Sequence, residues 1–300
     1  MSLNFQRTRL APTPSGYLHL GNILSFVLTA GLARKYGASI LLRIDDMDQE
    51  RVRIEYLDDI FDTLQFLEIP WDEGPRNTTD HIKYFSQLHR LSMYQEGLDN
   101  LISKHLVFAC SCSRSSSEIM LNNFAYPGTC LNKNLEPNSK GLQLRFITNK
   151  EEEIRMHELI AGKISDSLSP SMAYFQVRKK NGDPSYQLTS LLDDLHYGVD
   201  LIVRGNDLLD SSFVQLSLAK ALDKKRFLDV RFLHHPLLKT DQEEKLSKSA
   251  GATSIQFLRK SGLDKQAIFQ IMAKAVGIDA SPSNWLEIYD LLAEKWVALT

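Results

Sequence analysis

The sequence has no apolar run approaching the roughly 20 residues that a membrane-spanning helix needs. Its first residues, Met1 to Arg9, carry no charged-then-apolar targeting pattern. These two absences predict a cytoplasmic protein that does not enter a membrane. Charge of one sign is missing too: 35 Lys and Arg against 37 Asp and Glu leave a formal net charge of −2. A protein that wraps nucleic acid is usually basic, because phosphate neutralisation supplies most of the nonspecific affinity. Any RNA contact is therefore local. The densest basic run, Asp223-Lys-Lys-Arg226, reads as a solvated helix end. Internal repeats and low-complexity tracts are absent. Cysteine is scarce, and an odd number, three, argues against a disulfide framework. Yet Cys110, Cys112 and Cys130 all fall within 21 residues, and that clustering needs a reason.

What is present is ordinary globular material, 43% hydrophobic and 24% charged. Residues 5–12 predict a short strand, followed by the turn Pro12-Thr-Pro-Ser-Gly16. Apolar spacing of three and four predicts a helix from Leu20 to Tyr36, ended by Gly37. Ser39 to Ile44 is a nearly continuous apolar run, as in a buried parallel strand. Helices follow near 50–68 and 80–104. In the first, Ile54, Leu57, Ile60, Phe61, Leu64 and Leu67 share a face that packs into the core. A strand from Leu106 to Ala109 leads into the cysteine segment. From 110 to about 187 polar loops alternate with short strands, at 142–147 and 174–178. The α/β pattern then resumes with a strand at 200–204, a helix at 210–222 and an extended stretch from Phe232. A charged loop at 240–250 and two or three terminal helices complete the chain. The pattern predicts an α/β, doubly wound, Rossmann-like fold. Residues 1–108 and 188–250 form its nucleotide-binding catalytic domain, 109–187 an inserted subdomain, and 251–300 a helical tail.

Two segments carry chemistry. Arg9-Leu-Ala-Pro-Thr-Pro-Ser-Gly-Tyr-Leu-His-Leu-Gly-Asn22 joins the first strand to the first helix. In doubly wound sheets, ligands bind at the carboxyl ends of strands, near helix N-termini that favour phosphate. Gly21 permits close approach of a ligand to the backbone, and His19 can bond a phosphate oxygen as charge develops on it. The second segment is Glu244-Lys-Leu-Ser-Lys-Ser249, where Lys245 and Lys248 flank small hydroxyl residues. Two ammonium groups suit a transition state from which pyrophosphate leaves. No Walker-type phosphate loop is present. In the cysteine segment, three thiolates supply three of zinc's four tetrahedral ligands. The fourth donor stays open on chemistry alone, with His105 as one candidate.

His19-Leu-Gly-Asn22 and Lys245-Leu-Ser-Lys-Ser249 resemble the two signatures of class I aminoacyl-tRNA synthetases. Arg9-Leu-Ala-Pro-Thr-Pro-Ser-Gly, Leu42-Arg-Ile-Asp-Asp-Met-Asp48 and Ile202-Val-Arg-Gly-Asn-Asp207 narrow the resemblance to the glutamyl subgroup, over about residues 7–250. Within it, the short glutamyl-Q tRNA(Asp) synthetases look most similar. They carry a comparable Cys-x-Cys…Tyr-x-x-x-Cys zinc site, here Cys110-Ser-Cys112 and Tyr126-Pro-Gly-Thr-Cys130. The 51 residues after Ser249 also leave no room for the anticodon-binding region of full-length glutamyl enzymes.

The resemblance implies catalytic roles for His19, Lys245 and Lys248, and an ATP site made of His19, Gly21, Asn22 and Lys248. It implies a glutamate site made of Arg9, Thr13, Asp45, Tyr186 and Arg204. Arg9 and Arg204 stand at the carboxylate-binding positions, where a guanidinium fork suits the ligand. Asp45 stands where the family usually has glutamate, the residue that meets the substrate ammonium. Thr13 replaces a serine, and Ser190 falls where full-length enzymes usually carry asparagine. The implied enzyme is a monomeric ligase using ATP, magnesium and one structural zinc, with L-glutamate and tRNA(Asp) as partners. A related ligase with another acceptor, or a non-catalytic RNA-binding relative, would share much of this pattern.

Overall fold

A computed structural model describes residues 4–113, 126–149, 151–238 and 254–296. The chain divides into two compact units. The first gathers residues 1–89, 199–206 and 232–300, and the second 90–198 and 207–231. The stretch 109–187 thus falls wholly inside the second unit, and the terminal helices belong to the first.

The first unit is built on strands β1 (Arg7–Leu10) and β2 (Ser39–Leu42), which pair in parallel. Between them runs helix α1 (Leu20–Tyr36). This is the predicted strand–turn–helix–strand unit, with the helix at its expected bounds. Gly37 closes it in the left-handed conformation at φ 69°, and its N–H donates to Ala33 O. Strand β8 (Leu201–Gly205) lies beside β1. Asp200 N–H donates to Arg7 O at 3.0 Å, and Thr8 Oγ1 donates to Leu201 O at 2.9 Å. Strand β9 (Arg231–His235) neighbours β8 in turn. The order β2–β1–β8–β9 is that of a doubly wound core, interrupted in sequence between β2 and β8.

α1 is apolar nearly all round, which marks a helix buried on several sides rather than one lying on a surface. Gly31 lets it approach the helix Trp285–Lys295, since an added Cβ would sit 1.9 Å from the Tyr289 ring. Helix α2 (Ile54–Phe66) buries Leu57, Ile60, Phe61 and Leu64 as its period predicts. Ile54 departs from the expected stripe and is exposed, because it opens the helix at its first turn. The helix expected over 80–104 is shorter, Leu91–Ser103. Upstream of it the chain makes a π-helical turn (His81–Phe85) and a tight 3₁₀ turn (Gln87–Arg90). The cause is Asp46, which takes the Gln87 N–H and the Ser86 hydroxyl for itself.

The second unit holds an antiparallel sheet of three strands. β3 (Val107–Cys110) pairs with β4 (Gln143–Phe146), and β4 pairs with β7 (Gln176–Arg178). A hairpin of β5 (Ile154–Glu158) and β6 (Gly162–Asp166) was not legible as such from the pattern. Nor was the helix Tyr186–His196. That helix is pinned by a buried ion pair: Arg90 Nε donates to Asp193 Oδ1 at 2.7 Å, and Tyr94 Oη donates to the same oxygen at 2.7 Å.

Candidate active site and candidate metal centre

The carboxyl ends of β1, β2 and β8 bring four of the expected residues to one edge of the first unit. Arg9 is the penultimate residue of β1, buried, and its Nη1 donates to Val203 O at 3.3 Å. Arg204, also buried, lies on β8 with its guanidinium 5.7 Å from the Phe232 ring centroid. The parallel ladder continues beyond the strands proper. Arg43 N–H donates to Leu10 O and Asp45 N–H to Pro12 O, each at 2.9 Å. This register sets Asp45 next to the turn that carries the exposed Thr13. Tyr186 belongs to the second unit, where it opens its helix half-exposed, and Ser190 is buried on the same helix.

Asp45 has a partner that the sequence reading did not name. Arg43 Nε donates to its Oδ1 at 2.7 Å and Arg43 Nη2 to its Oδ2 at 3.0 Å, with both side chains buried. In an extended segment residues i and i+2 share a face, so the spacing was a usable signal. The fork engages two of the roughly four lone-pair directions of the carboxylate. It holds Asp45 rigidly and offsets its charge.

The segment bearing Asp45 is fastened by Asp46, whose side chain is likewise buried. Asp46 accepts from Ser86 Oγ at 2.6 Å, from Gln87 N–H at 2.8 Å, and pairs with His81 Nε2 at 3.0 Å. Burial alone would raise its pKa, but the bonds from His81, Ser86 and Gln87 outweigh burial and lower it. A depressed folded-state value stabilises the fold above the ordinary carboxylate pKa. That stabilisation is lost as pH falls through the folded value. Asp46→Asn is therefore expected to melt lower at neutral pH and to lose less further stability on acidification than the parent. Thermal unfolding across an acid pH series checks this, and parallel curves for the two proteins contradict it.

His19 is the N-cap of α1. Its Nδ1 accepts from Gly21 N–H at 3.1 Å, while Asn22 Oδ1 accepts from His19 N–H at 3.0 Å. This reciprocal cap does more than start the helix. An accepting Nδ1 puts the proton of the neutral ring on Nε2, a donor suited to a phosphate oxygen. A Cβ at Gly21 would stand 3.0 Å from the imidazole, so a side chain there requires the ring to shift by a few tenths of an ångström.

Lys245 and Lys248 lie outside the described residues. The points flanking their segment do not, and both meet the His19 region. Downstream, Ile255 N–H donates to Leu18 O at 2.7 Å, and His19 bridges to Ser254, the N-cap of the helix Ile255–Lys260. Upstream, His235 ends β9 and its Nε2 lies 2.6 Å from Ser25 Oγ on α1. The described residues on either side of 239–253 thus both contact the stretch 18–25, more than 200 positions earlier in the chain.

In the second unit the Sγ atoms of Cys110, Cys112 and Cys130 lie within 4.8 Å of one another. Cys112 and Cys130 are 3.6 Å apart. Tyr126 Oη stands 3.3 Å from Cys110 Sγ and 3.9 Å from Cys112 Sγ. A tetrahedral zinc with Zn–S of about 2.3 Å has S···S edges of about 3.8 Å and S···O edges of about 3.5 Å. The Cys112–Cys130 pair and the Tyr126 contacts stand near these separations, and all three thiols lie within 4.8 Å. Tyr126 Oη also accepts from Cys130 N–H at 2.8 Å, and Gln143 Nε2 donates to Cys110 Sγ at 3.3 Å. Burial pushes the Cys112 thiol up to about 11. Burial would raise Cys130 too, but bonds from Tyr126 and Ser111 outweigh it and bring that thiol down to about 6. His105, the alternative fourth donor, is exposed and not part of the group.

A parallel core with a capped His-x-Gly helix start and an inserted β-rich unit defines the class I aminoacyl-tRNA synthetase catalytic architecture. The comparisons with known proteins agree. A family model described as tRNA synthetases class I (E and Q), catalytic domain, matches residues 6–286. Glutamate–tRNA ligase of Anaeromyxobacter sp. (strain K) is 31% identical over 278 residues, covering 89% of this chain and 57% of that protein. Glutamate–tRNA ligase 2 of Nitrosococcus oceani is 32% identical over 302 residues, covering 96% and 62%. The solved glutamate–tRNA synthetase of Elizabethkingia anophelis superposes with a TM-score of 0.71 at 20% identity, over 89% of this chain and 61% of that one. The chain belongs to the class I tRNA synthetase family of glutamyl and glutaminyl type. It spans about three-fifths of the length of these relatives.

Proposed function

We propose that this chain activates glutamate with ATP and passes it to queuosine in the anticodon of tRNA(Asp). The observation that carries the first half is the strand edge, where Arg9, Asp45 and Arg204 stand at the ends of adjoining strands with a His19-capped helix start between β1 and β2. Two arginines answer the two carboxylates of glutamate, and Asp45 answers its ammonium. Thr13 joins these residues in the first unit, and Tyr186, on the second unit, is the further glutamate-binding residue that the resemblance implies. The α-carboxylate attacks the α-phosphorus of ATP, the bond from that phosphorus to the oxygen bridging to the β-phosphate breaks, and pyrophosphate leaves; magnesium bound with ATP would offset its charge. No covalent enzyme intermediate is needed. His19 Nε2–H, the α1 N-terminus with Gly21 and Asn22, and Lys245 and Lys248 supply positioning and charge. The acceptor hydroxyl then attacks the mixed anhydride and AMP departs.

The cysteine cluster supports the second half, since its Cys-x-Cys…Tyr-x-x-x-Cys pattern is that of the short glutamyl-Q enzymes. Cys110, Cys112, Tyr126 and Cys130 would hold one zinc, which supplies structural cross-linking and no redox chemistry. Within the catalytic chain, 109–187 serves as the acceptor-type insertion and 251–300 as a helical tail. One zinc per chain is expected to copurify, and Cys130→Ser to lose it and unfold the second unit at lower temperature. Metal analysis of protein purified without chelator checks this, and metal-free, fully stable parent protein sinks the site.

The activation step is tested by ATP–pyrophosphate exchange without tRNA. Exchange dependent on glutamate, and far weaker with aspartate or glutamine, is the expected result. Exchange with none of the three overturns the proposal.

A further inference from the structure

We propose that Gln143 is a positioning residue of the candidate zinc site, its side-chain amide holding Cys110 and Cys112 in place as ligands. The inference rests on the zinc reading and names a residue outside the Cys-x-Cys…Tyr-x-x-x-Cys pattern. Gln143 opens β4 and is buried, and its register partner on β3 is Cys110. Residues directly opposite in an antiparallel pair share a face, so the amide arrives beside the thiol. Its single NH₂ group serves both cysteines of the Cys-x-Cys turn. Nε2 donates to Cys110 Sγ at 3.3 Å and to Cys112 O at 2.9 Å. A carbonyl only accepts, so it is the amide nitrogen and not the amide oxygen that faces Cys112. Gln143 Oε1 accepts in turn from Gln176 Nε2 on β7.

The alternation of β4 shows that this face is built for charge rather than for packing. Leu144 and Phe146 are buried on one side of the strand, as in any sheet core. Gln143 and Arg145 share the other side and are buried as well, with the Arg145 guanidinium 4.0 Å from the Tyr126 ring centroid. A buried carboxamide costs desolvation unless its donors and its acceptor are paired. Packing against thiols alone would be served better by an apolar side chain. Here both N–H groups and the carbonyl are paired, and two of the three bonds go to the cysteine turn. A zinc-bound cysteine is a thiolate, which carries negative charge and only accepts. An amide does not ionise, so Gln143 remains its donor whatever the state of the sulfur. Partners of this kind orient metal ligands, and their loss typically costs on the order of tenfold to a hundredfold in metal affinity.

The test measures zinc affinity of the full chain by competition with a chromophoric chelator at fixed pH. Gln143→Leu, which removes the amide, is expected to bind zinc about tenfold to a hundredfold more weakly than the parent. Melting temperatures in saturating zinc and in excess chelator separate positioning from packing. Bound zinc raises stability according to its affinity, so the rise from chelator to zinc is expected to be smaller in the variant than in the parent. A role in packing alone lowers both temperatures together and leaves the rise unchanged. Should Gln143→Leu fail to fold, Gln143→Asn takes its place, because it keeps the amide but draws it back from both cysteines by one methylene. It too is expected to bind zinc more weakly. Parental zinc affinity and a parental rise in melting temperature in the folded variant overturn the inference. A parent that binds no zinc is a different result: it defeats the zinc reading itself, and the inference with it.

Discussion

ATP–pyrophosphate exchange with glutamate is expected to fall by about a hundredfold or more when Lys248 is replaced by alanine, the usual scale for losing one transition-state charge donor. A hundredfold corresponds to about 2.7 kcal/mol of transition-state stabilisation. In the proposed reaction, negative charge grows on the departing pyrophosphate and must be met where it appears. His19 and the α1 N-terminus stand at one side of that charge, held by the reciprocal cap with Gly21 and Asn22. In the proposal Lys245 and Lys248 supply the opposing ammonium groups, and the described residues before and after their segment, His235 and Ser254, contact Ser25 and His19. The loss belongs in kcat, because the charge is absent from bound ATP in the ground state. KM for glutamate and the melting temperature should stay near the parent. Exchange at the parental rate in Lys248→Ala removes this segment from the mechanism.

The second large effect is at Asp45. Asp45→Asn is expected to raise KM for glutamate by tenfold to a hundredfold, equivalent to about 1.5–3 kcal/mol for a hydrogen bond to a charged group. KM for ATP should change little, since nucleotide and amino acid occupy adjacent but separate pockets. The same variant is expected to melt lower. Arg43 donates to both oxygens of Asp45 in a buried pair, and breaking such a pair costs about 3–5 kcal/mol by leaving a charge uncompensated. Arg43→Met separates the two effects: it should destabilise the fold while leaving Asp45 able to meet an ammonium. Asp45→Glu tests the missing methylene. A lower activity would mean that the site is spaced around aspartate and overpacked by glutamate. Activity at or above the parent would mean that the shorter side chain is merely tolerated. A neutral Asp45→Asn in the kinetic assay places the ammonium elsewhere.

The core of the fold was legible because local signals agreed there. α1 has a cap, an apolar body and a terminal glycine, and it was readable to the residue; β2 follows it with a nearly continuous apolar run. Legibility failed where long-range bonds decide. The helix expected from 80 begins only at Leu91, because Asp46, some 40 residues earlier, takes the Ser86 and Gln87 donors. The helix Tyr186–His196 is held by Arg90 and Tyr94 through Asp193, about a hundred positions away. At the site, motif residues announced themselves, whereas their supports did not. Arg43 was within reach of a period-two reading, but Ser25 and His235 meet only in the folded chain. The cysteine cluster lay between these cases: spacing suggested a metal, and the placing of Tyr126 beside Cys110 and Cys112 came from the fold.

Mass spectrometry of tRNA nucleosides after incubation with this chain, glutamate and ATP tests the central proposal most directly. The account predicts a glutamyl group on queuosine from tRNA(Asp), dependent on ATP and lost in Lys248→Ala. Glutamate found only on a tRNA 3′ end, or on no nucleoside at all while glutamate-dependent exchange proceeds, would contradict it.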